Sequence, residues 1–179
     1  TCLVQHEFFH RYTADEHTLV CLEQLDAMLD SKESDLRKYG ELYARVETPE
    51  ILALAVLLHD TGKADVTRNH EEIGAIHAAQ VAKRLGFRGR ELALMTFLVD
   101  HHMTLGNFSR KNLDEPETIR TFARIVQDEE RLDLLMLISA ADVRAVAGRN
   151  NWSSWRELLV WDLYGRTKRM LAGEEEFLR

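Results

Sequence analysis

Glycine, proline and cysteine are scarce in this chain, whose 179 residues contain nine glycines, two prolines and two cysteines. The shortage of turn-forming residues argues against an all-β fold, and the lack of low-complexity tracts argues against disorder. Cys2 and Cys21 form no CxxC pair and predict no disulfide, as expected in a reducing cytoplasm. A mostly helical protein is the expectation that remains.

Basic residues and long apolar runs are also in short supply. The chain has 23 basic and 30 acidic residues, a formal net charge of −7. No broad cationic surface is available to neutralise a phosphate backbone, so we expect no polymeric nucleic acid as a partner. The longest strongly apolar run, Ile51 to Leu58, is far shorter than the roughly 20 residues that span a bilayer. We therefore expect a cytoplasmic protein with no membrane partner.

The length and the 45% hydrophobic content predict one domain, residues 1–179, around a single core. Because the chain starts at Thr1 and not at methionine, we expect a piece of a longer protein. Periodicity and capping signals predict helices over Thr13–Leu29, Pro49–Leu58, His70–Leu85, Gly89–Met103, a segment opening at Pro116, Asp128–Ala147 and Ser153–Leu171. Thr104–Glu115 is predicted to be a polar loop, and Trp155 and Leu158 are predicted to pack.

Nitrogen and carboxylate donors occur in five of these helices. Together they suit a borderline or hard divalent ion such as Mn, Mg, Fe or Zn, and the shortage of cysteines excludes an all-thiolate structural zinc site. We therefore expect a catalytic centre with one or two ions. The candidate ligands are His17, His59, Asp60, His70, His101, His102 and Asp142.

The pair His59 and Asp60 directly follows the apolar run, where ionisable side chains need a compensating partner. Neighbouring side chains at a helix end can reach one ion, or two ions with a carboxylate between them. Asp60 is the natural bridge. Such a carboxylate can hold two cations about 4 Å apart and lower the pKa of a shared water, which leads to hydrolysis without a covalent intermediate.

Cationic side chains near these donors are candidates to meet a substrate. Lys63 lies one turn beyond Asp60 and can offer positive charge to a phosphoryl oxygen, so it is both a catalytic and a substrate-binding candidate. Arg144 follows Asp142 by two residues, and Arg110 and Lys111 lie in the predicted polar loop. We consider these three as contacts for a nucleotide phosphate or a partner protein.

The pentad HDTGK, His59 to Lys63, with His17 before it and Asp142 after it, resembles the H...HD...D signature of the HD phosphohydrolase superfamily. The stretch NHEEIGA from Asn69 and the His101-His102 doublet are similar to the extra histidines of members that bind two metals. The resemblance implies an all-α, HD-type helical bundle with a central metal site. It implies that His17, His59, Asp60 and Asp142 hold a first metal and that Asp60 is shared with a second on His70, His101 and His102. The choice between His101 and His102 stays open.

A narrower resemblance lies in HRYTADEHTL, His10 to Leu19, and in the segment from Phe122 to Tyr164. Both resemble the HD domain of the bifunctional uridylyltransferase/uridylyl-removing enzymes of bacterial nitrogen control. This implies hydrolysis of the uridylyl-tyrosine bond on the PII signalling protein, with release of UMP. The nucleotidyltransferase and ACT domains of that family have no counterpart in these residues.

Two other functions are compatible with the same residues. One is a phosphohydrolase that acts on a free nucleotide or a cyclic dinucleotide. The other is a regulatory module that binds a nucleotide without turnover. The matching flanks favour the uridylyl-removing activity over the first, and the complete ligand set favours an enzyme over the second.

Overall fold

The computed structural model describes residues 14–29, 34–64, 69–146 and 154–174. Within these ranges every regular element is helical, which confirms the predicted all-α fold. None of the helices in these ranges has the length and hydrophobicity needed to cross a bilayer. The helices are α1 (Ala14–Leu29), α2 (Ser34–Tyr43), α3 (Pro49–Leu58), α4 (His70–Leu85), α5 (Gly89–His101), α6 (Thr104–Phe108), α7 (Pro116–Val126), α8 (Glu129–Ala145) and α9 (Ser154–Leu171), with a 3₁₀ helix over Thr61–Ala64.

Most helix ends follow the signals in the sequence. The Asn69 side chain accepts the backbone N–H two residues on (3.0 Å) and the Asp128 side chain accepts the one three residues on (2.8 Å). These bonds satisfy donors that a helix start otherwise leaves unpaired. Prolines open α3 and α7, and Gly86 ends α4 with φ of 93°, a left-handed conformation that suits glycine. The predicted starts at Thr13 and Ser153 and the predicted end at Ala147 lie outside the described residues.

Two segments differ from the prediction. Helix α2 was not predicted, although its buried residues Leu36, Tyr39 and Leu42 recur every three positions, which is helical spacing. The predicted polar loop Thr104–Glu115 is wrong in its first part, because five of its residues form α6. Leu105 and Phe108 of α6 are buried, and their burial stabilises a helix that its polar neighbours concealed.

The predicted packing of Trp155 and Leu158 is also wrong. Their side chains on α9 are 65% and 68% exposed. The ring of Trp161 on the same helix lies 5.2 Å from that of Tyr39 and 5.3 Å from that of Tyr164, measured between centroids. Only this later part of α9 therefore contributes large aromatic surface to the core.

Helix α8 lies at the centre of the fold. Every residue from 132 to 141 is buried, and α8 contacts α1, α2, α3, α5, α6, α7 and α9. Helix α3 is buried through Ile51, Leu52, Ala55 and Val56 and packs against α1, α4, α5 and α8. The pair His59 and Asp60 therefore directly follows the end of a helix that is enclosed by other helices.

Candidate metal centre

Three helices bring donor atoms together beside the end of α3. His17 of α1 and Asp142 of α8 are 125 residues apart in sequence, yet His17 Nε2 lies 2.9 Å from Asp142 Oδ1. His59 Nε2 lies 3.7 Å from the same carboxylate oxygen and 3.5 Å from Asp60 Oδ2. The packing of α1, α3 and α8 therefore converts residues that are remote in sequence into one cluster.

The donors fall into two groups, and within each the candidate ligand atoms lie within 4.8 Å of one another. The first donor group is His17, Cys21, His59 and Asp142, and the second donor group is Asp60, His70 and His102. Their imidazoles form a continuous row: the centroids of His17 and His59 are 5.6 Å apart, those of His59 and His102 5.2 Å, and those of His102 and His70 5.9 Å. The two groups are therefore neighbours in a single centre.

Sequence reasoning overlooked one member of this centre. Cys21 belongs to the first donor group, four residues after His17 on α1. That spacing places two side chains on the same helix face, so the signal was present in the sequence.

Asp60 lies between the two groups. Its Oδ2 is 3.5 Å from His59 Nε2 and 3.8 Å from His17 Nε2, and its Oδ1 is 3.9 Å from His102 Nε2. The two oxygens of one carboxylate thus face histidines of different groups. Lys63 also donates a hydrogen bond from Nζ to Asp60 Oδ2, at 2.8 Å.

Two histidines of the centre present unused nitrogens. The Nδ1 atoms of His59 and His102 each lie 2.7 Å from a backbone carbonyl one turn earlier, those of Val56 and Val99. A carbonyl can only accept, so Nδ1 carries a proton and Nε2 is the nitrogen that can bind a cation once it is unprotonated. Both Nε2 atoms are buried and find no hydrogen-bond partner among the described residues. A buried polar atom without a partner is costly, so these residues fit a bound cation.

The two carboxylates of the centre are held in their ionised form. Burial opposes the ionisation of Asp60, but the charges of His59 and Lys63 outweigh it and lower its pKa. Burial also opposes the ionisation of Asp142, but His17 and His59 beside it hold the pKa of that carboxyl well below its usual range. Negative charge is therefore available to a cation at neutral pH.

The histidines of the two groups differ in charge. Burial disfavours protonation of His59, but the carboxylates of Asp142 and Asp60 outweigh it and raise the pKa of His59 to about 9. For His102, burial and the neighbouring His59 together lower the pKa. In the metal-free protein a proton therefore occupies the first donor group, in a position that a cation can take.

Three other candidates belong to neither donor group. The ring of His101 packs on Phe97 with centroids 4.8 Å apart, and its Nδ1 lies 3.3 Å from Thr104 Oγ1. The structure thus places His102, and not His101, beside Asp60. Arg110 is exposed and donates to the carbonyl of Gly106 (3.0 Å), while Arg144 is half-buried in the last turn of α8.

A close backbone contact positions the second donor group. A Cβ atom on Gly62 would lie 1.8 Å from the carbonyl oxygen of His70 and 2.7 Å from the backbone nitrogen of Gly74. Only glycine allows the HDTGK segment to lie this close to the first turn of α4. The neighbour that Gly62 admits is the helix that carries His70.

Known proteins resemble the chain over most of its length. Residues 15–147 match the HD domain family. The chain is 36% identical over 172 residues to the bifunctional uridylyltransferase/uridylyl-removing enzyme of Caulobacter vibrioides, and 36% identical over 176 residues to the enzyme of the same name from Nitrosococcus oceani. These alignments cover 95% and 97% of this chain but only 18% and 20% of the relatives. The chain thus spans about a fifth of the length of these relatives, and it belongs to the HD domain family.

Proposed function

We propose that this chain is a metal-dependent phosphodiesterase that removes UMP from a uridylylated tyrosine of the PII signalling protein. The observation that carries the proposal is the position of Asp60, with one oxygen toward each donor group. Beside it lie two imidazole nitrogens that have no hydrogen-bond partner in the described part of the chain. Membership of the HD domain family supports metal-dependent hydrolysis. The similarity to uridylyl-removing enzymes supports the nucleotidylated substrate.

The donor set suits one or two divalent ions such as Mn, Mg, Fe or Zn. When bound, such ions neutralise charge on the phosphoryl group and lower the pKa of a water molecule. His17, His59 and Asp142 would hold one ion, and His70 and His102 the other. Asp60 would serve both, because its two oxygens already face different groups.

The protein prepares these ligands before a metal arrives. The hydrogen bonds from Nδ1 of His59 and His102 to backbone carbonyls fix each ring with Nε2 directed into the centre. Burial of both rings keeps bulk water away from these nitrogens. The ligands therefore need little rearrangement, which reduces the entropy lost on binding.

Lys63 is the group best placed to meet the substrate. Its ammonium donates a hydrogen bond to Asp60 Oδ2 at 2.8 Å, and its side chain is 25% exposed, so it lies at the boundary between the buried centre and solvent. A cation in that place stabilises negative charge that develops on a phosphoryl oxygen. Arg144 and Arg110 remain our candidates for the nucleotide phosphate or the PII surface.

We further propose that residues 1–179 form one HD phosphohydrolase domain of a larger cytoplasmic protein. In this proposal nucleotidyltransferase and ACT domains accompany it, and the name uridylyltransferase/uridylyl-removing enzyme of the relatives supports the first of these. Binding of uridylylated PII would then be the physiological way in which substrate reaches the centre.

The test is release of UMP from uridylylated PII by the metal-loaded chain, compared between Asp60→Asn and Asp100→Asn. Both changes replace a carboxylate by an amide, but Asp100 is half-buried on α5 and lies in neither donor group. We expect activity to fall in Asp60→Asn by more than the roughly 100-fold that loss of an outer hydrogen-bond partner can cost, and to persist in Asp100→Asn.

Three results would contradict the proposal. Equal activity of Asp60→Asn and the unaltered chain would show that hydrolysis does not depend on the proposed metal centre. Hydrolysis of free nucleotides or cyclic dinucleotides with none of uridylylated PII would replace the substrate. Nucleotide binding without hydrolysis of any of these compounds would make the chain a regulatory module.

A further inference from the structure

Cys21 brings a sulfur atom to the first donor group. Its side chain is fully buried, and its Sγ lies 3.4 Å from His17 Nε2. The same sulfur is within 4.8 Å of the donor atoms of His59 and Asp142. A cysteine in an apolar core needs no such neighbours, so its position among three ligand candidates calls for an explanation.

The distances in this group are those of donors around one ion. Zinc binds sulfur at about 2.3 Å and imidazole nitrogen at about 2.1 Å, and with such bonds a separation of 3.4 Å corresponds to an angle of about 100° at the ion, near the tetrahedral value. The 2.9 Å between His17 Nε2 and Asp142 Oδ1 also allows both atoms to bind one ion. The first donor group is thus compact enough for a single cation to contact all of its members.

A second, independent observation also points to a cation in the first donor group. His59 Nε2 has no hydrogen-bond partner among the described residues. Because the side chain is only 1% exposed, water does not replace that partner. A hydrogen bond from the Cys21 thiol to His17 would explain the sulfur position but would leave this nitrogen without a partner. A cation between the sulfur and the three other donors satisfies both.

We propose that Cys21 is a fourth protein ligand of the ion in the first donor group and makes this group prefer Zn²⁺, Co²⁺ or Fe²⁺ over Mg²⁺ and Mn²⁺. The inference rests on the metal centre proposed above. On binding, the S–H bond of Cys21 and the N–H bond at His59 Nε2 break, bonds from sulfur and nitrogen to the metal form, both protons pass to solvent, and no atom changes its oxidation state. Thiolate favours the softer ions, whereas the second donor group offers only nitrogen and oxygen and has no such preference.

Cobalt(II) is the probe that tests this ligand, because a thiolate–cobalt bond absorbs in the near ultraviolet while four-coordinate cobalt absorbs in the visible. The protein is the full chain with Cys2→Ser, so that Cys21 is the only sulfhydryl, and it is compared with the same chain carrying Cys21→Ser or Cys21→Ala. We expect both absorptions in the Cys2→Ser protein and loss of the near-ultraviolet band alone in the double variants. Zinc affinity should fall at least about tenfold in these variants, with manganese affinity unchanged.

The outcomes separate the two proposals. Visible cobalt bands without a near-ultraviolet band in the Cys2→Ser protein would overturn the role of Cys21 and leave the metal centre intact. No cobalt spectrum in any protein would overturn the metal centre itself. If the double variants do not fold, zinc X-ray absorption of the Cys2→Ser protein decides, since a sulfur neighbour at about 2.3 Å is expected and its absence would refute the assignment.

Discussion

The two donor groups differ in what holds them. In the first, three of the four donors, His17, Cys21 and Asp142, lie on the long helices α1 and α8, which pack on each other in the core. In the second, all three residues lie at or just beyond the ends of helical segments, and His70 is half-buried. Core packing therefore sets the first geometry, whereas the second depends on a few contacts at helix ends. We infer that the first group is the more rigid and the less tolerant of change.

The largest expected difference follows from removing one histidine of each group. His59→Gln takes a ligand from the buried group and leaves Asp142 and Asp60 without the ring between them. We expect activity to fall by more than about 100-fold and the ion of the first donor group to be lost. His70→Gln should retain that ion and reduce the content of the other. Metal analysis after dialysis, with activity measured in parallel, checks both statements, and equal metal loss in the two variants would show that the groups are not separable.

The second prediction concerns the contact that positions His70. In Gly62→Ala the new methyl group meets the carbonyl of His70 at 1.8 Å, so the 3₁₀ helix and α4 must separate. We expect a loss of about 1 to 3 kcal/mol in the free energy of unfolding, with weakened metal binding at the second group only. Chemical denaturation and metal titration measure the two effects.

The matched control is Gly165→Ala in α9, where a Cβ atom meets nothing within 4 Å. An alanine in a helix interior is more favourable than glycine, so this variant should be more stable by about 0.5 to 1 kcal/mol. If Gly62→Ala behaved in the same way, the close contact with α4 would have no structural importance.

Part of this difference could be predicted from the sequence. The apolar run before His59, the caps at Asn69 and Gly86 and the proline starts are local signals, so the helices that carry the donors were predictable. The ligand candidates were named from residue type and from the family resemblance. Their separation into two groups was only implied, because it depends on which helices pack together across 125 residues.

What the sequence could not decide is the direction of neighbouring side chains. His101 and His102 are adjacent at the end of α5, where the chain leaves the helical repeat, so either could have faced Asp60. Burial against α8 decides, since the carbonyl of His102 accepts a hydrogen bond from Ser139 Oγ at 3.0 Å. Cys21 is a different case, because His17 lies four residues before it on the same helix and that spacing was visible in the sequence.

The third prediction uses the protonation of the first group. In the metal-free chain the carboxylates of Asp142 and Asp60 outweigh burial and raise the pKa of His59 to about 9, against about 6.5 in an unfolded chain. This contribution to stability is complete below pH 6.5 and is lost as the pH rises toward 9. The metal-free chain should therefore become less stable over that interval. Denaturation in a chelator at several pH values measures how steeply the free energy of unfolding falls with pH.

With zinc present the free energy of unfolding should instead rise with pH. The ligands bind metal only when deprotonated, so zinc affinity increases as the pH rises. The bound ion also adds stability, about 2.7 kcal/mol at a concentration 100 times the dissociation constant. Asp142→Asn should flatten the metal-free slope, whereas His70→Gln should leave it unchanged. Equal slopes with and without metal would contradict a cation in place of the proton on His59.

The smallest effect is expected at His101, and it tests the boundary of the second group. His101→Gln removes a ring that packs on Phe97 at the partly exposed edge of α5, so metal content and activity should stay within about twofold and stability within about 0.5 kcal/mol. His102→Gln, one residue later, removes a buried Nε2 beside Asp60 and should lose the second ion. The two substitutions are chemically identical, and they differ only in the direction in which the replaced ring points. Comparable metal loss in both would mean that α5 turns its end toward Asp60 when metal binds, and that the second group, unlike the first, is completed by the ion.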